Sequence, residues 1–578
     1  MNLLPFGPLT PYRSRRFLPS DLDFGDELVI SPLFDQLETR SLGCQSAEAL
    51  EQWLLDVDEL GSALDQERAL RYIAKTCNTE NAEVSAAYLH FVECIDPLLK
   101  PRQFNLAQLY LSHPYRSSLP RPQFDVFDRA IQLKADSYRV ENIPLETEEA
   151  ITVDQYTTVT GSLTVSFRGE EKTLVAMGRY LEDPQRTVRE ETWRLVASRR
   201  LVVAEQMESL FDRLLELRQQ MAGNAGFRNY VGYGFQLRGR FDYTPADCRR
   251  FHKAIESTVM PVLRTLQRER KSRLGVTALR PWDLSVDPLN RPPLRPYVDS
   301  SRLEAGSQEI FDRLDPVLAS GFRTLREHRL LDLDNRKGKA PGGYQYTLSD
   351  ARLPFIFMNS VGLQRDVETL LHEAGHAFHA LACRDEDIAL HREPPIEFCE
   401  VASMAMELLG ARHLDVFYSP PEAIRAQRMH LEGIIIVFPW IATIDAFQHW
   451  LYSHPRHTRL ERRAVWLELM DRFGGDVDWT DLEEERACLW HKQLHLFHHP
   501  FYYVEYGIAQ LGALQVWMNA EKDLPKALQD YQAGLALGGS RPLPELFQRA
   551  GCRFDFGLKT MRPLIRRVAA ELDRLPAG

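Results

Sequence analysis

Along most of this chain apolar residues recur every three to four positions, the period of helices that bury one face. Val367, Leu370, Leu371, Ala374, Ala377, Phe378 and Leu381 mark one largely buried helix. Ala402, Met404, Ala405 and Met406 mark a second, whose small residues allow close approach and which Gly410 closes. Between them, the charged stretch from Arg384 to Pro394-Pro395 reads as a loop. Asp183-Pro184 opens a helix that runs through Arg189 to Leu217, and Thr244-Pro245 opens another, each as N-cap and first-turn proline. Strand signals are few. Residues 162–167 and 173–177, around Arg168 to Glu171, predict a small β region. Residues 351–359 predict a short strand that Pro354 places at a sheet edge, with Gly342-Gly343-Tyr344 as a flexible loop beside it. Residues 283–300, with four prolines, predict an extended connector. The pattern is that of a mainly α fold, with a boundary near residue 180 between a mostly helical N-terminal lobe (1–180) and a larger region (181–578).

Composition narrows the function classes. The chain has 578 residues, 70 Lys plus Arg against 81 Asp plus Glu, and a net charge of −11. No basic surplus exists to neutralise phosphates, so nucleic acid is not an expected partner. Eight cysteines without a C-x-x-C pair do not make a disulfide scaffold, and Cys383 and Cys399 read as buried thiols. The N-terminus shows no secretory pattern, and the apolar stretch Gly433 to Ala442 is too short to span a bilayer. A cytoplasmic protein without a membrane partner is expected; the oligomeric state is not legible.

The first helix carries the chemistry. His372-Glu373-Ala374-Gly375-His376 sets two imidazoles four residues apart, about 6 Å along one helix face, where both reach a single Zn²⁺. Glu373 points to the side, suited to take a proton from a water that zinc has brought to a pKa of about 7. Two histidines and a glutamate in an apolar helix are costly unless paired or metal-bound. His379 lies seven residues beyond His372, about 10.5 Å along the axis, too far to share the ion, and reads as a residue of the cleft wall or one that supports the ligands from behind. Glu400, 24 residues after His376 on the second helix, is the expected third ligand. Glu407, two turns further on the same stripe, is the expected acceptor for a ligand histidine's free N–H. Glu393 and Glu397 read as solvated or capping residues.

These residues resemble the M3 family of zinc metallopeptidases, the thimet oligopeptidase and oligoendopeptidase F group. That family carries His-Glu-x-Gly-His-x-x-His and a glutamate on a following helix, matched here by Gly375, His379 and Glu400 to Ser403. The oligoendopeptidase F and Pz-peptidase-like branch is similar also in Leu353 to Asn359, Arg240 to Cys248, Arg280 to Asp283, and Trp490 to Trp517. The resemblance implies a helical ellipsoid with a deep central substrate channel, a small sheet near the zinc site and one Zn²⁺ per chain. It implies His372, His376 and Glu400 as ligands and Glu373 as general base, the same four residues that spacing gives. The family also places a histidine and two tyrosines across the cleft from zinc. His495, Tyr502 and Tyr506 match that pattern, with His498 as the alternative histidine. Neutral tyrosine O–H or histidine N–H groups suit stabilisation of an oxyanion. The implied activity is hydrolysis of internal bonds in short unstructured peptides. The alternatives are a zinc carboxypeptidase of the related group and a non-catalytic peptide-binding protein.

Overall fold

The computed structural model describes residues 4–19, 22–336 and 338–575, and helices dominate it. Helix α1 (Ala47–Cys77) joins two cores. Leu50, Trp53, Leu60 and Leu64 pack among the N-terminal helices, while Ala69, Ile73 and Cys77 enter the main core. Helix α2 (Ile143–Gly161) leads into a hairpin of strands β1 (Thr164–Phe167) and β2 (Glu170–Thr173). The hairpin differs from the expectation. Arg168 and Gly169, at φ 54° and 82°, make a two-residue turn of the kind that matches strand twist, so the second strand begins at Glu170. Residues 174–177 form a helical turn instead of a strand, because the Thr173 side chain accepts the Ala176 N–H and caps it.

The helix expected from Asp183 to Leu217 is two helices. Asp183 accepts the Gln185 N–H one turn early, α3 spans Arg186–Val202, and Val203 separates it from α4 (Ala204–Asn224). Helix α5 (Pro245–Leu274) begins as its sequence predicts, at Thr244 with Pro245 in the first turn, and the Asp247 carboxylate accepts the Thr244 N–H and hydroxyl at 2.8 and 2.6 Å.

Strands β3 (Leu331–Asp334), β4 (Tyr344–Leu348) and β5 (Leu353–Ser360) form one sheet in the order β3-β5-β4. The strand expected at the edge is therefore central. Pro354 is tolerated because it pairs only with Thr347 of β4, and β3 joins β5 further on, at Ile356. The edge strand is β4. Gly342 leads into it, tethered by the Asn359 side chain, which donates to the Gly342 and Ala340 carbonyls at 2.9 and 2.8 Å.

Four helices complete the central layer: α6 (Gln364–Ala382), α7 (Ile396–Gly410), α8 (Pro420–Ser453) and α9 (Tyr503–Lys522). Helix α7 lies between α6 and α9. Contact with α6 depends on Gly375, where an added Cβ would stand 2.5 Å from Ser403 Cα. Gly410 ends α7 as expected, but at φ −68° it is not a left-handed cap. The loop between α6 and α7 contains a short helix, Ala389–Arg392. Helix α8 runs unbroken through Pro439, well beyond the apolar stretch read from the sequence. By length and composition it could cross a membrane, yet 67% of its most apolar window is buried inside the protein, and it packs on α5 and α9 as a core helix.

Candidate functional site

Helix α6 turns Leu370, Leu371, Ala374 and Ala377 into the core, which leaves His372 and His376 on its remaining face. Their rings lie 4.9 Å apart, and each side chain keeps 16–17% of its surface. Glu400 of α7, almost fully buried, brings Oε2 within 3.3 Å of His372 Nε2 and 3.6 Å of His376 Nε2. The three atoms lie within 4.8 Å of one another. Ligand atoms about 2.0–2.1 Å from a tetrahedral ion stand about 3.4 Å apart, so this triad fits one metal.

The electrostatics call for a cation. Glu407 Oε1 takes His372 Nδ1 at 2.6 Å, so the lone pair on Nε2 faces the Glu400 carboxylate. The two carboxylates favour a positive charge at this ring, which a proton or a metal ion on Nε2 supplies. Burial would depress His372, but Glu400 and Glu407 outweigh it and hold this imidazole well above the ordinary histidine range. Burial lowers His376 to about 4, which keeps it neutral as a ligand must be. Burial would raise Glu400, yet His376, His372 and the Tyr502 hydroxyl hold it at about 2. Glu407 also receives His430 Nε2 at 2.9 Å, a partner from α8 that sequence spacing did not reveal.

Glu373 is not part of the triad. It is 7% exposed, burial pushes its carboxyl up to about 7, and the Gln345 backbone N–H of β4 faces it. The edge strand thus runs beside this carboxylate.

Across the site, the Tyr502 hydroxyl donates to Glu400 Oε1 at 2.6 Å, and the Tyr502 and Tyr506 rings lie 5.2 Å apart. A chain of donors sets Tyr506. Trp440 Nε1–H donates to Gln493 Oε1 at 2.9 Å, which turns the Gln493 amide N–H to His495 Nδ1 at 2.8 Å. The proton of His495, neutral because burial lowers it to about 4, is then on Nε2, 3.1 Å from the Tyr506 oxygen. The Tyr506 oxygen thus accepts from His495, and its own O–H points to the side shared with Tyr502. Trp440 and Gln493 carry no sequence signal of this role. His498 faces away, with Nε2 on Thr157 of α2 at 3.0 Å.

Phe501 holds this segment in place. It has φ 66°, a left-handed conformation that costs a bulky residue about 1–3 kcal/mol and persists only when its surroundings impose it. Its N–H donates to Gln448 of α8, and its carbonyl accepts from Arg240, which also binds Glu505 at 2.8 Å.

Three expectations are corrected. His379 is not on a cleft wall but in the core, its ring 5.6 Å from Phe398 and edge-on. Glu397 is neither solvated nor capping; it is buried and accepts the Tyr243 hydroxyl at 2.6 Å. Of the expected loop Gly342-Gly343-Tyr344, the two glycines lie outside any strand, whereas Tyr344 opens the paired strand β4. Cys383 and Cys399 direct their thiols to backbone carbonyls, away from the triad.

Comparison with known proteins adds to this geometry. Residues 179–561 match the model of peptidase family M3, and residues 29–136 that of the peptidase M3 N-terminal domain. The chain belongs to peptidase family M3. Within the family, it is 23% identical to the oligoendopeptidase F homolog of Borreliella burgdorferi over 298 residues, 50% of this chain and 49% of that protein. The match thus spans about half of that relative's length. Solved structures extend the likeness over nearly the whole chain. Pz peptidase A in complex with an inhibitor superposes at a TM-score of 0.93, with 26% identity, covering 97% of this chain and all (100%) of that one. A putative oligoendopeptidase F superposes equally well, TM-score 0.93 and 27% identity, over 98% and 100% of the two chains. The mainly helical M3 fold of this branch is therefore the fold of the protein.

Proposed function

We propose that this chain is a zinc-dependent oligoendopeptidase that hydrolyses internal bonds of short, unstructured peptides in the cytoplasm. The observation that carries the reading is the triad of His372, His376 and Glu400, with Glu407 behind it and Glu373 beside it. His372 Nε2, His376 Nε2 and Glu400 Oε2 would hold the ion. Zinc, when bound there, supplies a Lewis acid that polarises the scissile carbonyl and makes a water nucleophilic near neutral pH.

The chain's own residues do the rest. Glu373 takes the proton of the attacking water and later delivers it to the leaving amine nitrogen, a shuttle suited to a carboxyl near 7. Tyr506, supplied from behind by His495, donates its O–H to the oxyanion. Tyr502 donates to Glu400 and joins Tyr506 at the same face. Backbone groups of the edge strand β4 can pair with an extended peptide, which fixes its direction without selecting its sequence.

The experiment uses Glu373→Gln and an internally quenched peptide with free or amidated C-terminus. The variant is expected to retain its zinc and lose about 10²–10⁴-fold in kcat. The wild type is expected to cut both substrates internally, with products located by mass spectrometry. Full activity in the variant, or cleavage that requires a free C-terminus, contradicts the proposal.

A further inference from the structure

Away from the triad, helices α5 and α8 cross with a second set of metal-ligand types between them. Cys248 and His252 stand four apart on α5, and Asp445 and His449 stand four apart on α8. Each pair therefore projects from one helix face. The Cys248 thiol, an Asp445 carboxylate oxygen and a His449 ring nitrogen all lie within 4.8 Å of one another. His252 Nε2 contacts Asp445 Oδ2 at 2.8 Å, and His449 Nε2 stands 3.5 Å from the same oxygen. Cys248 and Asp445 are fully buried (0% exposed), and the surrounding walls are aromatic, with Phe501 and Phe235 rings 5.2 and 5.8 Å from His449.

Hydrogen bonding leaves this cluster incomplete. Among the described residues, Asp445 Oδ1 is buried with no hydrogen-bond partner, and His449 Nε2, buried as well, has only the long contact to Asp445 Oδ2. A buried polar group without a partner is destabilising, more so when charged. A lone thiol or a lone carboxylate would explain little, but a thiol, a carboxylate and an imidazole converging on one point are what a borderline metal ion binds.

We infer that Cys248, Asp445 and His449 form a second, structural zinc site that ties α5 to α8, with His252 holding the Asp445 carboxylate. Charge balances: on binding, the Cys248 sulfur gives up its proton to solvent, and thiolate plus carboxylate neutralise Zn²⁺ in a buried setting. The orphaned Asp445 oxygen gains a partner, and the His449 nitrogen a closer one than the 3.5 Å contact it now has. The site does not touch the substrate. It lies behind Phe501, the residue that precedes Tyr502, so its effect on activity is through the placement of that segment.

The test counts metal and reads sulfur ligation in the full-length protein. After dialysis into metal-free buffer, the wild type is expected to hold about two zinc ions per chain, and Cys248→Ser and His376→Ala about one each. With cobalt in place of zinc, the wild type and His376→Ala are expected to show a thiolate-to-cobalt charge-transfer band, lost in Cys248→Ser. The His372, His376 and Glu400 triad contains no sulfur and cannot give that band. A wild type with a single zinc that His376→Ala removes, or a cobalt protein without the band, overturns the inference. Wild type and His376→Ala decide the matter even where Cys248→Ser fails to fold. Because the His376 arm reads the triad and the band reads Cys248, the two sites fail separately.

Discussion

At the scale of single residues, Glu407 does more than its position two turns beyond Glu400 indicates. One carboxylate receives His372 through Oε1 and His430 through Oε2, so it orients the His372 ring with Nε2 toward Glu400, where the proposed ion would sit. Glu407→Gln keeps the shape and removes the charge. Zinc affinity, measured by competition with a chelating dye, is expected to fall about 10–100-fold. An unchanged affinity contradicts the role. Tyr506→Phe probes the opposite wall. The variant is expected to keep its zinc and its KM while kcat falls about 10²–10³-fold, the size of a lost oxyanion donor. A change confined to KM would mean that the hydroxyl serves binding alone.

At the scale of elements, the contact between α6 and α7 sets the distance from the two histidines to Glu400. Gly375 permits it, since any side chain there meets the α7 backbone at 2.5–2.9 Å. Gly375→Ala is expected to lower the Tm by the equivalent of about 1–3 kcal/mol or more and to weaken zinc binding with it. Gly433→Ala, exposed on α8 with nothing within 4 Å of the new Cβ, is the control and is expected to hold or raise the Tm by up to about 1 kcal/mol. Equal effects in the two variants contradict the account. What the sequence made legible follows the same division. His372, His376, Glu400 and Glu407 were readable because helical periodicity alone places them on shared faces. His430, Trp440, Gln493 and Arg240 were not, because their parts depend on how α8, the 490s segment and the α5 approach meet in three dimensions. The hairpin and the helix at Arg186 were misplaced by a few residues, where one side chain, Thr173 or Asp183, ends or delays a repeat. The missing N–H of Pro354 argues for an edge, but β3 begins two residues too late for that to matter.

At the scale of the whole molecule, the proposed ligands come from two helices that the rest of the fold must bring together, so the proposal links zinc binding to folding. A chelator is expected to lower the Tm, and free zinc at about 100 times its Kd to restore about 2.7 kcal/mol. A Tm indifferent to zinc contradicts that linkage. The N-terminal helices and the main core meet along α1, whose Thr76 contacts the Tyr344 hydroxyl of the edge strand at 2.6 Å. The edge strand β4 is thus buttressed from the N-terminal part of the chain. All of this rests on where the catalytic ion sits. The most direct test is anomalous diffraction at the zinc edge from crystals of the purified protein. The account predicts a peak at bonding distance, about 2.0–2.2 Å, from His372 Nε2, His376 Nε2 and a Glu400 carboxylate oxygen, with Glu407 behind His372 and outside bonding distance. No peak at that point, or a peak whose third protein ligand is a residue other than Glu400, contradicts it.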